Sequence, residues 1–301
     1  MGLSIFNDPV KFVVVGMGMG LERARQLSEE PGTTVIGVVD IEAEKAQKAA
    51  IELGCEWTTA LEPWLERDDC EAVFVVTPTG LHADLAVASL NAGKHVITTK
   101  PMEANLAACD RMIEASDRAG RLLAVDFALR LDVTSQRIRQ RIAAGDLGRM
   151  LGGTLSVRIH RDMEYYRANG AWRGTHRLDG GGIMSNQTIH HLDQLVYFLG
   201  LPERVSMRTW TQTHQIEAED LGCGIWEYDD GTVIQLFATT SYPVDTWYLT
   251  LELHGTNGAL TYVFGDPDPA TVERWHVGGG WEEVPPQPRM PQWTNMAQNL
   301  A

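Results

Sequence analysis

The chain reads as an α/β protein in two parts, an N-terminal doubly wound parallel sheet and a C-terminal α+β domain with a large open mixed or antiparallel sheet. Three observations predict this. Short Val- and Ile-rich runs alternate with helical segments through residue 128, as strands buried on both faces and joined by crossover helices do. After Ala128 the runs change to period-two alternation, with Leu155, Val157 and Ile159 set between Ser156, Arg158 and His160, the mark of a sheet with two unlike faces. A length of 301 residues exceeds the roughly 100–200 usual for one domain, so domains over 1–128 and 129–301 are expected.

The elements follow in order. Lys11–Val15 is the first strand; Gly16 to Gly20 come next, then a helix over Leu21–Ser28 that stops before Pro31-Gly32. Thr34–Val39 is the second strand, Glu42–Leu53 a helix closed by Gly54, and Ala72–Thr77 the third strand. A helix over His82–Asn91 ends near Gly93 and the strand His95–Thr99 follows. The helix Leu106–Ala119 is closed by Gly120 before the strand Leu122–Phe127. In the second part a helix over Ser135–Ala144 leads in. Strands are expected over Val205–Gln212, Leu221–Tyr228, Thr232–Tyr242, Tyr248–His254 and Ala259–Phe264, with turns at Asp230-Gly231 and Asn257-Gly258. One further helix, Asn186–Leu199, is inserted, and Gly278–Pro291 reads as a surface loop.

Composition excludes several classes. A net charge of -15 argues against a nucleic-acid partner, which needs clustered Lys and Arg, and against anionic membrane surfaces. Cys55, Cys70, Cys109 and Cys223 are too dispersed for a disulfide framework or a metal knuckle and read as reduced thiols, so a cytoplasmic location is expected. The N-terminus carries no signal pattern, and Met1-Gly2 lacks the hydroxyl residue at position 6 that myristoylation needs. No apolar run reaches the ~18 residues that span a bilayer.

Gly16, Gly18 and Gly20, with Met17 and Met19 between them, follow a strand and open a helix. Glycines there allow a tight turn and let backbone N–H groups approach a pyrophosphate. The third glycine stands one position earlier than in G-x-G-x-x-G, so the motif gains its weight from Asp40. That residue closes the second strand about 20 residues on, where a carboxylate bonds the adenosine ribose; it also suits a cap of the next helix. No Arg follows at Ile41 or Glu42, so NAD is favoured over NADP in a Rossmann-type domain. Thr77, Pro78, Thr79 and His82 stand at the end of the third strand, on the ligand edge. A plain strand-to-helix turn with Thr79 as cap explains the same residues, and His82 is the weaker cofactor candidate. Lys100-Pro101 ends the fourth strand, where a lysine either polarises a substrate oxygen and touches the nicotinamide ribose or is a surface residue.

In the second part, Asn186, His190, Asp193 and Tyr197 share one helical stripe, while Ile189, Leu192, Val196 and Leu199 form an apolar face for the sheet. A stripe of Asn, His and Asp suits proton handling. His191 points away and reads as structural, and no metal site is expected, because adjacent helical residues cannot converge on one ion. Tyr165, Trp172 and Arg173 lie in a segment dense in aromatic and Arg residues, which suits either the faces and hydroxyl edges of a sugar or a subunit contact. Val157, Leu236 and Leu251 suggest a sheet with one face on helices and the other covered by a partner subunit, so a homodimer or homotetramer is expected.

Four stretches occur in order: Val-Val-Gly-Met-Gly, Val-Thr-Pro-Thr-Gly-Leu-His-Ala-Asp, Ala-Gly-Lys-His-Val-Ile-Thr-Thr-Lys-Pro and Gly-Gly-Gly-Ile-Met-Ser-Asn-Gln-Thr-Ile-His-His-Leu-Asp. Together they resemble the glucose–fructose oxidoreductase / inositol dehydrogenase / MocA (Gfo/Idh/MocA) family over nearly the whole chain. The resemblance implies a Rossmann domain followed by an α+β domain for substrate and oligomer contacts. It matches Lys100 to the lysine of a Glu-Lys-Pro motif and His190 to the catalytic histidine. Three departures stand out: Thr99 replaces the Glu before the lysine, Asn186 replaces an Asp carried by many members, and family chains continue past Ala301 through further helix, so truncation there is expected.

The expected activity is NAD-dependent transfer of a hydride between nicotinamide and a secondary hydroxyl or ketone of a sugar, sugar derivative or cyclitol. His190 takes the hydroxyl proton, Lys100 bonds the same oxygen, Asn186 positions the substrate, and Asp193 orients or tunes His190. Two alternatives stay open: an NAD-dependent glycoside hydrolase or lyase using transient oxidation, and a catalytically silent dinucleotide sensor, against which the retention of Lys100 and His190 argues.

Overall fold

The computed structural model describes residues 8–245, 247–266 and 272–285. The chain divides after Ala128 into two compact units.

The first unit is built as the Val-rich runs require. Its elements are β1 (Val10–Val15), α1 (Gly20–Glu29), β2 (Thr33–Val39), α2 (Ala43–Leu53), β3 (Glu56–Thr58), α3 (Glu62–Leu65), β4 (Ala72–Val75), α4 (His82–Asn91), β5 (His95–Thr99), α5 (Leu106–Ala119) and β6 (Leu123–Asp126). The six strands are ordered β3-β2-β1-β4-β5-β6 and every pair is parallel. Strand order reverses between β1 and β4, and ligands of such sheets bind beyond the carboxyl ends at that point. Val13, Val73, Val75 and Val96 pack with Ala86, Leu90 and Met112 in one core. Helices α2 and α5 close on Gly54 and Gly120 in the left-handed conformation. The short β3 and α3 carry too few residues to show a period.

The second unit comprises α6 (Val133–Ala143), β7 (Met150–Ile159), α7 (Met163–Ala171), α8 (Ile189–Leu199), β8 (Arg204–Trp210), β9 (Leu221–Glu227), β10 (Val233–Thr239), β11 (Trp247–Gly255), β12 (Gly258–Asp266), β13 (Val272–Val277) and β14 (Gly280–Val284). Its eight strands run β14-β13-β12-β11-β7-β10-β9-β8. The β7–β10 pair is parallel and the others are antiparallel, so the sheet is mixed. One face buries Leu155, Val157, Leu236, Leu251 and Leu260 with Leu195 and Phe198 of α8.

Three expectations are corrected here. Part of the expected loop Gly278–Pro291 is the strand β14, paired to β13 through a turn at Gly278-Gly279; residues 286–291 lie outside the described residues. The exposed Trp281, Glu282 and Glu283 give β14 no alternation to read. The expected helix Asn186–Leu199 is two elements, a π-helical turn over Ile183–Gln187 and then α8. Finally, α8 turns Leu195 and Phe198 into the core, while Val196 and Leu199 pack at its margin. Apolar residues occur all around this helix, so periodicity alone could not select the buried face.

Candidate active site

The first unit offers a dinucleotide edge. Gly16 has φ +95, and a Cβ there would meet the Val76 carbonyl oxygen at 2.6 Å, so only glycine makes this turn. Gly18 has no atom within 4 Å of where its Cβ would stand, which leaves its backbone open to a ligand. Gly20 packs against Val76 and Val14. Asp40 braces the same turn: Oδ2 accepts from Met17 N at 2.7 Å, and Oδ1 from Glu42 N at 2.9 Å. Each oxygen keeps a second lone pair for ribose hydroxyls, so the residues present fit a nicotinamide dinucleotide. Met19 is exposed.

Gly20, Thr79, His82 and Pro101 are buried and shape the edge from within. His82 is 0 % exposed. Its Nδ1 faces the carbonyls of Pro101 and Met102 at 3.1 and 3.2 Å, and Nε2 faces Thr77 O at 3.0 Å. Burial holds its pKa below the usual value, against the pull of those carbonyls. It therefore clips the turn after β4 to the cis Lys100-Pro101 turn after β5. Glu103, unmarked by any motif, accepts from Ala83 N at 2.8 Å and Ala104 N at 2.7 Å, closing the first turn of α4. Thr77, Pro78 and Lys100 are half-buried at the carboxyl edge.

Asp126 is a residue that sequence reasoning missed. It pairs in register with Thr99, is 3% exposed, and lies 3.5 Å from Arg23. Burial pushes its carboxyl up to about 6, against the opposing charges of Arg23 and Lys100. A lone Asp at a strand end gives no spacing signal, because its neighbours come from α1 and from the end of β5.

In the second unit Tyr165, Gly174, Asp179, Asn186 and Gln187 form one polar network. Asp179 accepts from Gly174 N at 2.7 Å and from the Asn186 side-chain amide. Gln187 Nε2 donates to Asn186 Oδ1 at 3.1 Å and to Tyr165 OH at 2.8 Å. Asn186 is thus buried, with both ends of its amide bonded within the protein. The π turn, with its extra residue per turn, takes it off the stripe of α8. Glu219 anchors that turn, accepting from Met184 N at 3.0 Å through its carboxylate and from Ile183 N at 3.0 Å through its carbonyl. A Cβ on Gly182 would strike the Glu219 backbone.

His190 is half-buried on the first turn of α8. Asp193 is engaged by Arg130, whose Nε and Nη2 donate to its two oxygens at 2.7 and 2.6 Å. Asp193 thus fixes α8 through a bidentate pair with Arg130. His191 is buried, with Nδ1 2.8 Å from Gln194 Oε1, a structural residue. Tyr165, Trp172 and Arg173 are half-buried, and Arg173 lies 4.7 Å over Tyr165 and 5.0 Å over Trp172. Among the described residues no group of three His, Cys, Asp or Glu is placed to hold a metal ion, and no helix is long and apolar enough to cross a membrane.

Comparison with known proteins follows the same division. Residues 10–127 match the model of the GFO/IDH/MocA oxidoreductase family with NAD-binding Rossmann fold, and residues 135–261 match the GFO/IDH/MocA C-terminal domain. The chain is 26% identical over 261 residues to 2,7-anhydro-N-acetylneuraminate hydratase of Mediterraneibacter gnavus, covering 83% of this chain and 66% of that protein. It is 28% identical over 192 residues to myo-inositol 2-dehydrogenase of Thermotoga maritima, covering 62% of this chain and 54% of that protein. The chain thus spans between about half and two thirds of these curated relatives. The WlbA dehydrogenase from Bordetella pertussis, solved with NADH and UDP-GlcNAcA, is 26% identical with a TM-score of 0.82, covering 98% of this chain and 84% of that one.

Proposed function

Since the chain belongs to the GFO/IDH/MocA oxidoreductase family, we propose that it moves a hydride between NAD and a secondary hydroxyl or ketone of a sugar, sugar derivative or cyclitol. The observation that carries this reading is the glycine turn, open at Gly18 and braced by Asp40 through Met17 N. NAD supplies the hydride acceptor when bound. His190 takes the hydroxyl proton as the C–H bond breaks, and the Lys100 ammonium stabilises the developing alkoxide. Asn186 and Asp193 hold the turn and helix that carry His190. The relatives include inositol dehydrogenases and an anhydro-sugar reductase, in keeping with this chemistry. We further propose a homodimer or homotetramer.

The test is a panel of sugars, sugar acids and cyclitols with NAD, read at the NADH absorbance. Steady NADH formation that His190→Ala abolishes supports the reading; no NADH with any member overturns it. The hydratase among the relatives favours a second reading, in which the hydride is taken and later returned. Product formation without net NADH marks that case.

A further inference from the structure

We infer that the second unit carries a carboxylate-binding subsite made by Arg161, Arg173 and the Tyr165 hydroxyl, so that the substrate is an acidic sugar. This rests on the reading above and narrows it.

The hydroxyl comes first. The Asp179 carboxyl accepts from the Asn186 amide nitrogen, which leaves the Asn186 oxygen to accept from Gln187 Nε2. That same nitrogen donates to Tyr165 OH at 2.8 Å. The Tyr165 oxygen therefore accepts within the protein, and its one hydrogen remains to be donated to an acceptor. A carboxylate oxygen and a sugar hydroxyl both meet that need, so the choice between them falls to charge.

The charge agrees. The Arg161 guanidinium lies 4.8 Å and that of Arg173 4.7 Å from the Tyr165 ring. Both residues are half-buried. Among the described residues neither forms an ion pair, whereas Arg130 and Arg137 are each matched to a buried carboxylate. Arg161 Nη1 donates to its neighbour's carbonyl, His160 O, while Nε is buried with no protein partner. Two guanidiniums thus stand beside one tyrosine, and planar guanidinium forks match carboxylate geometry.

The backbone under these groups is fixed. Arg161 N donates to Thr240 O at 3.0 Å, and Arg161 O lies 2.7 Å from His214 Nε2. His214 Nδ1 in turn lies 2.9 Å from Asp220. Burial would raise Asp220, but the amides of Thr213, Gln212 and His214 and the His214 ring together hold it near 2. Gly174 N, next to Arg173, is tied to Asp179. In the first turn of α7, Asp162 accepts from Tyr165 N at 2.9 Å, which holds the Tyr165 backbone in place.

The experiment is calorimetric titration of the NADH-loaded full chain with D-glucuronate, D-galacturonate and N-acetylneuraminate, against D-glucose, D-galactose and D-glucose 6-phosphate. At least one acid is expected to bind tenfold or more tightly than every neutral sugar. Arg173→Gln and Arg161→Gln should each erase that margin with NADH affinity unchanged, and Tyr165→Phe should reduce it. Arg173→Lys, which keeps the charge but not the fork, should recover part of it. Neutral sugars binding as well as the acids, the phosphate binding best, or no acid binding at all each overturn the subsite. The two readings separate: acid binding without NADH formation from any sugar defeats the oxidoreductase reading and leaves the subsite standing, while NADH formation from neutral sugars alone does the reverse.

Discussion

Single residues divide by how much of their role depends on near neighbours. Asp40 was legible because a carboxylate about 20 residues past a glycine turn has one common use. Ile41 after it is 90% exposed and brings no cation, so NAD should bind at least about tenfold, or ~1.4 kcal/mol, more tightly than NADP. Titration calorimetry showing equal affinities would count against this, and Asp40→Ser with Ile41→Arg should shift preference toward NADP. His190→Ala should lower kcat by on the order of 10²–10⁴ with NADH affinity intact. Asp126 could not be read in advance, because Thr99, Arg23 and Lys100 reach it only through the fold. Its folded pKa of about 6 lies above the usual 3.8. The folded state therefore binds more protons between about pH 4 and 6, and stability falls as pH rises through that window. Asp126→Asn should flatten this slope and melt higher than wild type at pH 8, by at most about 3 kcal/mol of stability. Parallel melting curves for the two proteins at pH 5 and pH 8 would show the assignment to be mistaken.

At the level of elements, the parallel strands were legible because burial on both faces leaves continuous apolar runs, as in Phe12–Val15 and Ala72–Val75. The π turn was not. It differs from an α-helix by one residue, and nothing in Ile-Met-Ser-Asn-Gln announces that insertion. Its cause lies 35 residues away, where Glu219 accepts from Met184 N. Gly182→Ala tests this placement, because the added methyl meets the Glu219 backbone. The variant should lose about 2 kcal/mol or more together with turnover, while its NADH affinity stays at the wild-type level. Denaturant titration and NADH fluorescence measure the two halves of that statement, and a fully active, stable variant would refute it.

For the whole chain, the change of pattern at Ala128 was enough to separate two architectures, whereas the use of the second sheet's outer face was not. Val157, Leu236 and Leu251, expected to speak for a partner, all lie in the core. The opposite face carries Ile225 and Val233, both exposed, and Arg158 stacked between Phe237 and Tyr248 at 5.7 and 5.9 Å. Such a mixed apolar face suits a subunit contact, so light scattering should give a mass of two or four times 33.3 kDa. A monomer at micromolar concentration would refute the assembly proposal.

The mixed pairing of β7 has a consequence for how the chain is made. Leu155 sits between Leu236 and Leu251, so both neighbours of this strand emerge from the ribosome long after it does. The first unit can close as soon as β6 is free, but β7 must wait, apolar and unpaired, through the synthesis of α7, α8 and two further strands. Long-range pairings of this kind are slow to form and leave strand edges open to misassembly. A nascent chain stalled before Gly255 would therefore be a natural client for chaperones, holding one finished domain and one strand still seeking its partners.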